Sequence, residues 1–452
     1  MKKIIKNGKI LTPSKIIEGN IVINEKGKIE DIDKHKLNGF EGEVFDAKGN
    51  YILPGLIEVH GHLREPGMSQ KEDVPHGTRA ALAGGYTTII DMPNTKPPTV
   101  TVDLLKEKIN SIYPGRAYTD YAFFMGASRD SLDELKKVDK NMIVGVKVFM
   151  AGHETTPTTI PDDVTLGKIF QIASQRKLLL AVHAEDQSLI NYYAQKYKNG
   201  QAQDPSIWSK IRPKEVIVAA VARAISLAEQ YGTSLYLLHL STPEEFALVM
   251  GAKQRGTKVY GELVGYQLVF TIDDYKRLGN KIKVAPALRT REDQDEMWKL
   301  VREEKIDVIC SEHTPHEWET KNQLDVWTAQ SGTPGLQETL PALITKWLKR
   351  FGSKTLEEGL MKLTKLMSLN PARIFGFKSK GAIEKGKDAD LTIIDIKKVW
   401  TVKKENLFSK CGWSAYEGMK LVGRPVMTFL RGNLMYREGE IIQLGQWLKN
   451  NQ

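Results

Sequence analysis

The stretch LIEVHGH at residues 56–62 is an apolar strand that runs into two histidines, His60 and His62. Residues i and i+2 of a strand face the same side, so the two imidazoles can converge on one ion. The same plan recurs through the middle of the chain. Short β-rich runs follow at TTIIDMPN (87–94), YAFFMGA (121–127), VGVKVFM (144–150) and LLLAVHAE (178–185). They continue at LYLLHLS (235–241), KVYGELV (258–264) and DVICSEH (307–313). Helical stretches separate them, among them LGKIFQIASQRK, KEVIVAAVARAISLAEQYG and TPEEFALVMGAKQRG. Strands alternating with helices predict parallel βαβ units, and eight of them predict an α/β fold of the closed (β/α)8 TIM-barrel type over residues 55–379. An open doubly wound sheet is disfavoured because no GxGxxG follows the first strand.

Outward from the barrel, both ends of the chain read as strands and turns. Residues 1–54 contain IIKNGKIL, NIVINEKGKIEDI and FDAKGNYILPG, with Gly19-Asn20 and Lys26-Gly27 as turn signals. Residues 380–436 contain KGAIEKGKDADLTIIDI and PVMTFLRGNLMY. The expectation is one small β-sandwich domain assembled from residues 1–54 and 380–452.

A length of 452 residues accommodates a barrel of roughly 250 residues plus that accessory domain. No apolar run approaches the roughly 18 residues that span a bilayer, and MKKIIKNGKILTPSK lacks the apolar core and cleavage site of a signal peptide. Two cysteines, Cys310 and Cys411, cannot build a disulfide framework, so a reducing cytoplasm is expected. The net charge of +10 comes from Lys and Arg spread over the chain, without a block of like charges or a nucleic-acid-binding signature. It reads as a solvated basic surface with a modest attraction for anionic metabolites, not as a nucleic-acid or membrane partner.

His60, His62, His183 and His239 all fall at C-terminal strand ends, where a barrel places its active site. A single buried histidine is most often a hydrogen-bonded core residue; four at equivalent strand ends form a cluster. Lys147 interrupts the apolar strand VGVKVFM, where an ammonium costs several kcal/mol unless paired or neutralised. It is either a salt-bridged or snorkelling lysine, or a neutral amine that takes up carbon dioxide. The resulting carbamate could bridge two cations held by the histidines. Glu312, in the segment Cys310-Ser311-Glu312-His313-Thr314-Pro315-His316, is either a helix cap or ion-pair residue, or a metal ligand that accepts a proton from water. His313 can hold a neighbouring carboxylate or water in place. Mixed imidazole, carbamate and carboxylate donors suit Zn²⁺ or a similar divalent ion.

Together these positions resemble the amidohydrolase superfamily, and within it the dihydroorotases. The segment His60-Gly61-His62-Leu63-Arg64-Glu65-Pro66-Gly67 is similar to the dihydroorotase signature HxHLREPG, and Met92-Pro93-Asn94-Thr95 resembles the MPNT that follows it. SEHTPH with Lys321 resembles the second signature, and GVKVFM resembles the carbamylated-lysine strand of dihydroorotases, hydantoinases and allantoinases. The resemblance runs from the N-terminal strands to GKDADLTIID. It implies that His60, His62, carbamylated Lys147, His183, His239 and Glu312 hold two zinc ions, and that Arg64, Asn94 and His316 hold a substrate carboxylate. The implied reaction is reversible hydrolysis of dihydroorotate to N-carbamoyl-L-aspartate, a step of pyrimidine synthesis, by a metal-bridging hydroxide with Glu312 as proton shuttle. A homo-oligomer acting on a small molecule is expected on the same ground.

The chain departs from the family pattern in having Glu58 and Glu312 where aspartates are usual, GELVGYQL in place of a PHH-like stretch, and Ala285 in place of Asn. The nearest alternative is a carboxylate-free cyclic-amide substrate, as for an allantoinase or a dihydropyrimidinase/hydantoinase. The alternative of another class is a catalytically silent scaffold. The loop at 317–334 is expected to close over substrate.

Overall fold

A computed structural model of the protein describes residues 1–33, 40–152, 156, 158–198, 200 and 202–442. Five strands open the chain: β1 (Lys3–Leu11), β2 (Ile16–Ile23), β3 (Ile29–Asp33), β4 (Glu43–Asp46) and β5 (Tyr51–Pro54). Eight parallel strands follow: β6 (Leu56–Gly61), β7 (Tyr86–Asp91), β8 (Asp120–Gly126), β9 (Gly145–Phe149), β10 (Leu180–His183), β11 (Leu235–Leu240), β12 (Val259–Val264) and β13 (Val308–Cys310). Beyond them come β14 (Leu391–Asp395), the short pair β15 (Trp400–Thr401) and β16 (Lys420–Leu421), then β17 (Arg424–Leu430), β18 (Asn433–Arg437) and β19 (Glu440–Ile441).

The eight central strands pair in chain order from β6 to β13, as the alternation of the sequence requires. Helices such as Asp163–Arg176, Lys214–Tyr231 and Pro243–Gln254 return the chain between them. Strands covered on both faces read as continuous apolar runs, and every residue of β6, β7, β9, β10 and β11 is buried. Among the described residues no helix is long and apolar enough to cross a membrane.

The barrel closes where β13 meets β6, and a side chain makes much of the seam. The His62 N–H donates to the His313 carbonyl at 3.0 Å. The buried Glu58 carboxylate accepts the His60 N–H through one oxygen and the Ser311 N–H through the other, each at 2.9 Å. Burial pushes this carboxyl up to about 7, against those hydrogen bonds, which lower it.

The β-rich body is one hydrogen-bonded sheet of nine strands drawn from both termini, with the order β19-β18-β17-β14-β5-β1-β2-β3 and β4 on β1. The Lys26-Gly27 turn joins β2 to β3 as expected. Gly19-Asn20 does not turn: it lies inside β2, where Gly19 pairs with Gly8. The reason is a bulge on β1, where Asn7 takes φ 57° and its N–H is caught by the Asn20 side chain at 3.0 Å. Gly8 cannot be larger, because a Cβ there would stand 2.2 Å from Ile52 Cδ1. The sheet docks on the barrel through the Gly55 N–H to the Asp390 carbonyl, 2.7 Å, and the Thr392 hydroxyl to the Gly85 carbonyl, 2.7 Å. The stretch 443–452 of the expected composite domain lies outside the described residues.

If Glu58 holds the seam, Glu58→Gln sets an amide N–H against one of two main-chain donors. The expected cost is about 1–3 kcal/mol, read as an apparent Tm lower by a few degrees. An unchanged Tm would show that the seam does not depend on the carboxylate.

Candidate active site

Two of the barrel strands that carry histidines are bulged at the site. On β6 three steps from Glu58 to Gly61 answer two steps on β7, from Ile89 to Asp91. On β11 three steps from Leu237 to Leu240 answer two on β12, from Gly261 to Leu263. Bulges re-aim side chains and recur beside active sites. His60 and His239 sit in these bulges, His239 with φ 42°, and Glu312 just past β13 has φ 46°. The result is a cavity at the C-terminal end of the barrel. Its lining includes His60, His62, Lys147, His183, His239 and Glu312, the whole expected ligand set, together with Asn94 and Tyr266.

Carboxylates behind the cavity orient the imidazoles. His60 Nδ1–H donates to Glu262 Oε1 at 2.8 Å, which leaves the Nε2 lone pair facing Glu312 Oε1 at 3.8 Å. Glu262 is itself fixed by the Tyr236 hydroxyl at 3.0 Å and the His239 N–H at 3.1 Å. His183 Nε2–H donates to Glu185 Oε2 at 2.9 Å, which turns its Nδ1 lone pair towards His239 Nε2, 2.8 Å away. Arg212 holds Glu185 in turn at 2.6 Å. A metal-binding histidine characteristically has its other nitrogen held in this way.

Burial lowers the basicity of His60, His62 and His183, with Glu262 opposing it at His60 and Glu185 at His183. The rings are therefore neutral and offer lone pairs near neutral pH. Burial also brings the Lys147 amine down to about 7, opposed by the more distant Glu262 and Glu312 carboxylates. No carboxylate among the described residues lies within ion-pair distance of it, and its Nζ stands 4.5 Å from the centre of the Phe149 ring. Glu312 is pushed the other way, up to about 8, by burial, with the Tyr266 hydroxyl opposing.

These residues fit a metal centre. Ligand atoms of His60, His62 and Glu312 lie within 4.8 Å of one another. His62 Nδ1 is buried with no hydrogen-bond partner among the described residues. Neutral imidazoles aimed at one space, beside a carboxylate, are donors that suit a divalent metal ion.

Beside the metal ligands lies a second group. Arg64, in a left-handed conformation with φ 63°, is 1% exposed and has no ion-pair partner among the described residues. Its Nε–H donates to the Pro315 carbonyl at 3.3 Å, and burial lowers the guanidinium to about 10. Asn94 lines the cavity with its Oδ1 buried and without a hydrogen-bond partner among the described residues. His316 has both ring nitrogens in contact with protein atoms. Its Nε2–H donates to the Ser331 carbonyl at 3.0 Å, and Lys71 Nζ approaches Nδ1 at 3.4 Å. The Arg64 Nη2 contact at 3.4 Å on Nε2 is therefore donor against donor.

His313 points away from the cluster and donates to Glu72 Oε2 at 3.1 Å. Glu72 in turn receives the Ser409 hydroxyl and, at 3.1 Å, the Lys410 N–H, which brings the segment after β15 back to the barrel mouth. The segment expected to close over substrate is held by two buried lysines. Lys283 donates to the Val326 carbonyl at 2.7 Å and to that of Ala329; Lys321 donates to the carbonyls of Lys283 and Gln330, each at 2.8 Å. Ser331 and Gly332, next along, form part of the cavity wall.

Sequence reasoning passed over Glu262, Glu185, Tyr266 and Lys283. Glu262 had a legible signal, a carboxylate inside the buried strand VYGELV, equivalent to the lysine inside VGVKVFM.

Comparison with known proteins agrees with this geometry. Residues 51–435 match the model of the amidohydrolase family. The chain is 35% identical over 437 residues to a dihydroorotase from Pyrococcus horikoshii, covering 96% of this chain and 92% of that one. It is 33% identical over 407 residues to an allantoinase from Rubrobacter xylanophilus, covering 90% and 88%. Among solved structures, L-hydantoinase (dihydropyrimidinase) from Arthrobacter aurescens superposes with a TM-score of 0.92 at 30% identity, covering 98% and 97%. With the match of residues 51–435 and relatives of 30% identity or more over nearly the whole length, the chain belongs to the amidohydrolase family.

Proposed function

We propose that the protein is a zinc-dependent dihydroorotase, which opens the ring of dihydroorotate to N-carbamoyl-L-aspartate and closes it in reverse. The observation that carries the choice of substrate is Arg64. A buried guanidinium without a protein carboxylate costs free energy that an anionic ligand repays. It lies close enough to His62 and Glu312 to act on their charges, and Asn94, nearby in the cavity wall, has its Oδ1 without a partner among the described residues. Dihydroorotate carries a carboxylate; allantoin and hydantoin do not. The catalytic unit in this reading is 55–379, with 1–54 and 380–452 as the composite unit.

His60, His62, Lys147 as its carbamate, His183, His239 and Glu312 would hold two zinc ions. When bound, the ions supply Lewis-acid polarisation of the substrate carbonyl and acidify water. The chain's own residues do the rest. Arg64 offers a bidentate fork to the substrate carboxylate, and Asn94 adds a directional donor. His316 lies against the guanidinium, with its Nε2–H on the Ser331 carbonyl. Glu262 and Glu185 keep the lone pairs of His60 and His183 turned inward. Glu312 takes a proton from the water whose oxygen bonds to the ring carbonyl carbon. As the C–N bond breaks it returns that proton to the departing ring nitrogen.

A carboxylate-free ring is the second reading, favoured by the apolar Val284 and Ala285 in the cavity wall. The deciding experiment is turnover of dihydroorotate, carbamoyl-aspartate, allantoin and hydantoin by the protein loaded with zinc in bicarbonate. Turnover of the first two is expected; allantoin or hydantoin hydrolysed while dihydroorotate is inert would refute the substrate.

Two variants test the assigned residues. Arg64→Gln is expected to raise KM for dihydroorotate by about 10- to 100-fold, with any residual hydantoin turnover unchanged. An equal loss on both substrates would mean that Arg64 is structural. Glu312→Gln is expected to lower kcat by about 10²- to 10⁴-fold; full turnover would remove Glu312 from the proton path.

A further inference from the structure

Tyr266 lines the cavity and is not used by the reaction as described. Its hydroxyl donates to Glu312 Oε2, so that Oε1 is the oxygen left facing His60 Nε2 at 3.8 Å. A glutamate has one more side-chain torsion to fix than an aspartate, and ordering it costs rotamer entropy. A rigid donor at one oxygen removes that freedom.

The phenol is rigidly mounted. Tyr266 lies in the turn Gly265–Leu268 that follows β12, and its carbonyl accepts the N–H groups of Val269 at 3.0 Å and Phe270 at 2.8 Å. Gln294 donates to the carbonyls of Gln267 and Phe270, each at 3.0 Å, and Trp298 donates to that of Leu268 at 3.1 Å. Gly265 lets the turn pass the helix Thr339–Phe351, since a Cβ there would stand 2.6 Å from Thr339 Cγ2. The ring is 2% exposed within an apolar cluster that includes Tyr416. Its oxygen therefore marks a fixed point beside the carboxylate.

We propose that Tyr266 is a positioning residue, which holds Glu312 Oε2 so that Oε1 presents to the reacting carbonyl and a glutamate can carry the proton at this place. The proposal rests on the reading of Glu312 as proton carrier, and it does not depend on which cyclic amide is the substrate.

The test is a double-mutant cycle on the zinc-loaded full chain: wild type, Tyr266→Phe, Glu312→Asp and the double variant. kcat, KM and bound zinc are measured on whichever cyclic amide the wild type turns over, and the Tyr266→Phe protein is crystallised. Tyr266→Phe is expected to lower kcat by about 10- to 100-fold, with unchanged KM and zinc content. Glu312→Asp draws the carboxylate back from the phenol, so loss of the hydroxyl is expected to cost that background less than about threefold. In the Tyr266→Phe crystal the Glu312 carboxylate is displaced. Equal kcat losses in both backgrounds, or a KM rise at constant kcat, overturn the proposal. If Glu312→Asp has no turnover, or no cyclic amide is hydrolysed, the crystal decides: a carboxylate that keeps its place without the hydroxyl overturns it. An inert dihydroorotate with active hydantoin defeats the substrate assignment alone, because the cycle is then read on hydantoin.

Discussion

Everything at the mouth of this barrel answers to the burial of Lys147 among imidazoles, with no carboxylate of the described residues in ion-pair reach. An ammonium in such surroundings gives up several kcal/mol of hydration, and burial accordingly brings the amine down to about 7. The neighbouring rings of His60, His62 and His183 are driven neutral by the same desolvation. A set of lone pairs and an amine readily stripped of its proton is poorly suited to a solvent-excluded core unless cations complete it. The barrel supplies the room, because strand ends converge there without having to fill the space with apolar side chains.

Carboxylates one layer back convert this electrostatic problem into geometry. Glu262 and Glu185 each take the N–H of one ring, and Glu58 joins β13 to β6 while gripping the His60 main chain. The closure of the barrel and the aim of its first ligand thus share one side chain. Glu72 does comparable work further out, binding His313 and the Ser409-Lys410 segment together. The wall of Ser331 and Gly332 depends on Lys283 and Lys321, whose ammonium groups are met by main-chain carbonyls of the loop. Binding energy invested in a fixed wall favours discrimination between substrates of similar ring size.

Much of this was legible in the residues. Eight strands followed from alternation, and the residues that meet at the cavity were singled out as polar residues at apolar strand ends, because neither inference requires knowing how the strands pair. What stayed hidden depended on pairing. The i, i+2 argument for His60 and His62 assumed a regular strand, whereas a bulge between Glu58 and Gly61 aims His60, and a second one aims His239. Gly19-Asn20 looked like a turn because both residues favour turns; a bulge at Asn7 on the partner strand uses them instead. Tyr266 gave no local signal, since its partner lies far along the chain at Glu312. His316 was read from a motif, and only its contacts with Ser331 and Lys71 tell which nitrogen carries the proton.

The proposal that Lys147 becomes a carbamate that would help hold the metal ions is open to one direct measurement. The protein is reconstituted with zinc and ¹³C-labelled bicarbonate, and its carbamate ¹³C resonance and bound zinc are measured beside those of Lys147→Ala. The account predicts a carbamate signal with two zinc ions per chain in the wild type, and loss of both the signal and at least one ion in the variant. Wild-type protein that binds zinc fully with Lys147 unmodified, or a variant that keeps both ions without added carboxylate, would contradict it.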